Sequence, residues 1–119
     1  MDAGREMDAL IHEKVMGWPK SPIFGVYEYP DGGYDFAPPY STDIAAAWPV
    51  VEKLERDGFR WSVAVRNPHM SDTKILPYVS FWHYGKDEPG KLDTHVSAED
   101  DTVPLAICRA ALKAVWKGA

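Results

Sequence analysis

Seven residues, Tyr78–Tyr84 (YVSFWHY), constrain the fold more than any other stretch. Their composition is that of a β-strand. Tyr78, Ser80, Trp82 and Tyr84 alternate with Val79, Phe81 and His83, so rings stand on both faces. An antiparallel sheet with one wet face alternates apolar and polar residues cleanly. This strand does not, so both of its faces need cover, at least in part. Arg60–Arg66 (RWSVAVR) is a neighbouring strand, with Trp61, Val63 and Val65 on one face and Arg60, Ser62, Ala64 and Arg66 on the other. Leu92–Ala98 is a third, more polar strand suited to a sheet edge. The polar loop Asn67–Lys74 and the hairpin loop Gly85–Gly90 connect the three.

Helical periodicity supplies the cover. Gly4–Met16 repeats Met7, Leu10, Ile11 and Val15 at helical spacing, and Gly17 sits where a left-handed residue closes a helix. Ile23–Tyr29 is strand-like, Pro30–Gly33 (PDGG) is a turn, and Tyr34–Phe36 completes a hairpin. A second helix begins at a Ser41 or Thr42 cap and ends at Gly58, with Ile44, Ala47, Trp48, Val51 and Leu54 as its buried stripe. Pro49 falls inside it, removes one backbone hydrogen bond and should kink it. The last helix starts at a Thr102 cap with Pro104 in its first turn. Leu105, Cys108, Leu112 and Val115 form its buried stripe, with Ile107 and Ala111 beside them, while Arg109, Lys113 and Trp116 share another face. The order α-β-β-α-β-β-β-α in 119 residues predicts one α+β domain with a mostly antiparallel sheet.

Charge and motif spacing remove several function classes. The net charge of -5 lacks the basic field that duplex binding uses. The acidic N-terminus has no apolar signal segment, and no run approaches the roughly 18 apolar residues of a membrane span. One cysteine, Cys108, permits no internal disulfide and fits a reducing cytosol. A bacterial host cytoplasm is the expected location, with no membrane or nucleic-acid partner. His12, His69, His83, His95 and Cys108 show no zinc-ligand spacing, and HEKVM lacks the second histidine of a zincin helix. Cys108 has no nucleophile signature around it. PDGGYDF joins two strands, so it is no phosphate loop. No cofactor, metal or enzymatic activity is expected.

Three blocks, GREMDALIHEKVMGW, YSTDIAAAWPVVEKL and TVPLAICRAALKAV, resemble in sequence and order the phage ABA sandwich domain family, small proteins of phages and prophages of Gram-positive bacteria. The resemblance covers all three predicted helices and implies a three-layer α/β/α sandwich. It implies a structural place for Trp18, and it supplies no catalytic motif. Pro49 and the loop within 67–77 depart from the family pattern.

One constellation remains for binding. Tyr78, Trp82 and Tyr84 share a strand face, Arg60 and Arg66 share a face of a neighbouring strand, and Arg109 and Lys113 lie one helical turn apart. Rings stack on bases and guanidinium forks suit phosphates. The competing reading makes the rings core and the arginines ordinary solubilising ends. The expectation is a non-enzymatic phage accessory protein that binds and sequesters a small nucleotide immune signal. A homo-oligomer is expected, with Trp18 and Trp116 at its contact. The alternative is a protein–protein module that inhibits a host or phage protein.

Overall fold

The computed structural model describes residues 2–21, 25–64, 76–85 and 90–116. The first helix, α1 (Arg5–Leu10), continues as a π-helical turn over Ile11–Val15 and closes at Gly17, whose φ is 80°. A hairpin comes next, β1 (Val26–Glu28) and β2 (Tyr34–Phe36). Its turn forms as the sequence requires: Asp31 Oδ1 accepts from the Gly33 N–H at 2.8 Å, and Gly32 takes φ 85°. Then come α2 (Ile44–Arg56), β3 (Arg60–Ala64), β4 (Tyr78–Tyr84), β5 (Leu92–Glu99) and α3 (Val103–Val115). The α+β class, the antiparallel pairing and the element order are those expected.

The three larger strands run β3-β4-β5, with β4 central. Two rows of the register matter most. Trp61, Phe81 and Val96 lie side by side on one face, as do Val63, Val79 and Ala98. On the other face stand Arg60, Trp82 and His95 in one row and Ala64, Tyr78 and Glu99 in another. Val79 and Phe81 are fully buried in the core. α3 lies on β4 and β5, α2 packs on α3 and β3, and the first helix packs on both α3 and α2. The helices therefore gather on the Phe81 face. The helical layer expected over the Trp82 face is not among the described elements, and Tyr78 and Trp82 are half-buried there.

With β-strands on one side and two helices on others, α3 is buried almost all round, from Pro104 to Cys108 and from Ala110 to Leu112. Alanine at 106, 110 and 111 keeps the helix narrow where its neighbours crowd it. Val115, placed in the buried stripe by its spacing, stands in the last turn and is exposed. Thr102 caps as expected, its hydroxyl accepting from the Leu105 N–H.

The start of α2 differs from expectation. Its cap is Asp43, whose carboxylate accepts from the Ala45 N–H at 2.9 Å. Ser41 is taken up elsewhere: its N–H and hydroxyl both donate to the buried Asp8 carboxylate, at 2.8 and 2.7 Å, and the hydroxyl accepts from the Gly4 N–H. A buried carboxylate needs such donors, so Ser41 ties the first helix to the entry of α2. The buried face of α2 is Ala47, Val50, Val51 and Leu54. Ile44 and Trp48 are 40% and 38% exposed, and Trp48 packs edge-on to Trp61, with ring centroids 5.7 Å apart. α2 runs unbroken through Pro49, which lies on its exposed side together with Ala45, the residue whose carbonyl loses its partner.

Two substitutions test this packing. Phe81→Ala should cost roughly 3–5 kcal/mol through the cavity it leaves. Gly58 has φ 98°, and a Cβ there would stand 2.9 Å from His83 Nε2, so Gly58→Ala should cost at least about 1 kcal/mol. Urea unfolding of both variants reads these losses, and wild-type midpoints would refute the assignments.

Candidate functional site

Two clefts hold the chemistry, one built around the first helix and one on the Trp82 face of the sheet. The first grows from the π turn. Gly17 reverses the chain, and the Trp18 N–H donates to the His12 carbonyl at 3.0 Å. This brings the Trp18 indole flat onto the His12 ring, with centroids 4.4 Å apart and planes 19° from parallel. Trp18 is thus the cover of a buried histidine. Tyr27 meets His12 edge-on at 4.6 Å, and Tyr29 tilts against Trp18 at 5.0 Å.

The polar atoms of this cluster are constrained. His12 Nδ1 lies 2.7 Å from the Tyr40 hydroxyl. Burial raises the Tyr40 pKa, so the hydroxyl keeps its proton, and the imidazole tautomer sets which of the two groups donates in this bond. The buried Nε2 has no hydrogen-bond partner among the described residues. Burial also pulls the His12 pKa down to about 4, against a smaller opposing pull from Glu13. The Tyr27 hydroxyl donates to the Glu13 carboxylate, and its own pKa is raised, first by burial and then by that bond. Outside this cluster a cleft of about 490 Å³ opens, lined by Trp18, Lys20, Tyr27, Glu28 and Tyr29 with prolines at its rim.

The second cleft lies at the end of the sheet. A bulge at His83/Tyr84 shifts the pairing so that Tyr84 faces Leu92. The Arg60 guanidinium lies over the Tyr84 ring, 5.0 Å from its centroid. Arg60, Tyr84, Gly85 and Gly90 line a cleft of about 430 Å³. Trp82, in register with Arg60, stands beside it.

Residues 9–112 match the phage ABA sandwich domain. The chain belongs to the phage ABA sandwich domain family. It is similar to a phage protein from Bacillus cereus ATCC 14579, known from a 2.0 Å crystal structure, with 26% identity and a TM-score of 0.67 over 97% of this chain and 93% of that one. No curated protein matches the chain.

In this member of the family the expected binding residues divide into groups. Arg60, Trp82 and Tyr84 come together. Tyr78 shares their face but lies two rows away, beside Glu99. Arg109 is held by Asp100, with Nε 2.5 Å from the carboxylate, and Lys113 donates to the Ser97 carbonyl at 2.9 Å. These two line the β5 side of α3, apart from Arg60 on β3. Arg66 lies outside the described residues. Trp18 is stacked within the chain, and half-buried Trp116 packs on the core with Lys14 near its ring. Cys108 is buried, and burial raises its thiol pKa, which leaves it poorly nucleophilic. No helix of the described chain is long and apolar enough to cross a membrane.

Sequence reasoning missed His12, Tyr27 and Tyr40 as a group. One signal was available: Gly-Trp-Pro directly after a helix returns a large ring towards that helix. The partners on the hairpin and before α2 depend on tertiary packing.

The buried imidazole sets a pH dependence. The unfolded chain takes up a proton at this histidine near pH 6.5, and the folded chain only near pH 4. Its contribution to stability is therefore complete above about pH 6.5 and shrinks by about 3 kcal/mol as the pH falls to 4. Imidazole NMR should show His12 neutral at pH 5. A midpoint near 6.5 would contradict this burial.

Proposed function

We propose that this phage ABA sandwich protein is a non-enzymatic accessory protein that binds and holds a small nucleotide on the Arg60–Trp82–Tyr84 face of its sheet. The observation that carries the reading is the Arg60 guanidinium poised over Tyr84 at the lip of the Gly85–Gly90 cleft. A guanidinium fork can engage phosphate, the rings of Tyr84 and Trp82 offer stacking surfaces, and glycine lets a ligand approach the backbone. These are groups for holding a ligand. The most buried titratable groups near the core, His12 and Cys108, are kept neutral and covered. A phage gains from holding, without turnover, the nucleotide by which a bacterial host signals infection. That role places the protein in the host cytoplasm and needs no cofactor.

A second reading, a module that inhibits a host or phage protein, draws on the hairpin, where Tyr34 and Phe36 are 60% and 41% exposed.

Isothermal titration with a panel of mono-, di- and cyclic nucleotides tests the proposal. At least one should bind, and Arg60→Ala should weaken it roughly ten- to hundredfold. Because Arg60 is exposed, the variant should melt like wild type. A panel without a binder, or Arg60→Ala binding unchanged, overturns the reading.

A further inference from the structure

The cleft beside Trp18 plays no part in the nucleotide reading, and its walls are rings. Trp18 and Tyr29 are half-buried, with planes 51° apart, so they meet as a corner. The buried Tyr27 stands edge-on to Trp18 and also lines the cleft. The face of an aromatic ring is electron-rich and attracts a cation. Hydrogen bonding strengthens that character here. The Tyr27 hydroxyl donates to the Glu13 carboxylate, and the Tyr29 hydroxyl donates to the Phe36 carbonyl at 3.0 Å, so both phenols are polarised toward their rings. The imidazole stacked on Trp18 is neutral, because burial holds its pKa down at about 4. No positive charge therefore backs the indole.

The charges around the cleft are unequal. Glu28 lines it, and Glu13 is bound to one of its rings. Burial raises the Tyr29 pKa, and the nearby Asp35 carboxylate raises it further. Between positions 26 and 36 the chain carries Glu28, Asp31 and Asp35 and no lysine or arginine. Residues 22–24 lie outside the described residues and add no charge in the sequence. Of the basic side chains near the hairpin, Arg5 lies over the Phe36 ring, 3.9 Å from its centroid. Lys20 is exposed and lines the cleft.

We infer that this cleft takes a small zwitterion of the betaine type, with its quaternary ammonium in the Trp18–Tyr29 corner and its acid group on Lys20. A quaternary centre suits the corner better than a primary one. A primary ammonium carries three N–H donors that each need an acceptor, and ring faces are poor substitutes for oxygen. The methyl groups of a quaternary centre need no acceptor, and they spread the charge over an apolar surface that packs on rings. Glu28 adds a carboxylate on the side of the cation. A plain cation would leave the Lys20 ammonium as a like charge in the same cleft. An acid group on the ligand turns that repulsion into a pair.

Titration of the full chain with glycine betaine, followed by the indole N–H signals in NMR, tests the site. The Trp18 signal is identified by its loss in Trp18→Phe, and betaine should shift it. Two further ligands separate the parts. The anion 3,3-dimethylbutanoate has the shape of betaine with carbon in place of the charged nitrogen, and it should bind roughly five- to thirtyfold more weakly. Choline keeps the quaternary centre without the acid group, so it should bind more weakly than betaine. Lys20→Ala should remove that difference, and because Lys20 is exposed the variant should melt like wild type. A Trp18 signal that high millimolar betaine leaves unmoved overturns the inference. So does 3,3-dimethylbutanoate binding as tightly as betaine, which would mark the cleft as merely apolar, or Lys20→Ala binding betaine unchanged. No nucleotide is present, so failure of the Arg60 reading leaves this result standing.

Discussion

The burial of α3 governs the architecture. A helix placed between a sheet and two other helices has little room for polar groups, and Arg109 and Lys113 sit at the one side where Asp100 and the Ser97 carbonyl can meet them. With that helix in place, the sheet face must present small or flat groups to it. Ala98, Val79 and Phe81 do so. The first helix and α2 then seal the remaining sides, through Ile11, Val15, Val51 and Leu54. The polar groups drawn into this packing, Asp8 with Ser41 and His12 with Tyr40, lie where separate helices and loops converge. They fix relative position more than they add stability, since burying each costs much of the free energy that its hydrogen bonds contribute.

The strands and helices were legible because their signals are local. Tyr78–Tyr84 and Tyr34–Phe36 were readable as strands to the residue, and Thr102 and Gly17 as helix ends. The start of α2 was not. Ser41, Thr42 and Asp43 are all good caps, and only the buried Asp8, 33 residues before Ser41, decides which one is free to act. Separately, Ile44 and Trp48 lie outside the side of α2 that packs on α3 and β3. Amphipathic periodicity fixes the width of a stripe better than its phase.

The binding residues were legible as chemical types and less so as a group. Alternation put Trp82 and Tyr84 on one strand face, and the cross-strand register put Arg60 beside them. Arg109 and Lys113 were grouped with them because all were basic or aromatic and semi-exposed. Sequence periodicity gives no distance between a helix and a strand. In the fold their charges are engaged by Asp100 and by a strand carbonyl. The bulge that sets Tyr84 opposite Leu92 also has no local signature.

The π turn in the first helix carries a consequence for how this chain tolerates changes in length. A π turn holds one residue more than the α-helical turn it replaces. Deleting that one residue within Ile11–Val15 lets the helix close as a continuous α-helix, and since five π residues and four α residues both turn the chain by roughly 400°, the part before the deletion keeps its facing. Asp8 would still face Ser41, and Met7 would stay on the core side. A deletion within Arg5–Leu10 is different, because it would turn the residues ahead of it by about 100° and move the buried side out to water. The π turn is therefore a place where a change in length is absorbed locally.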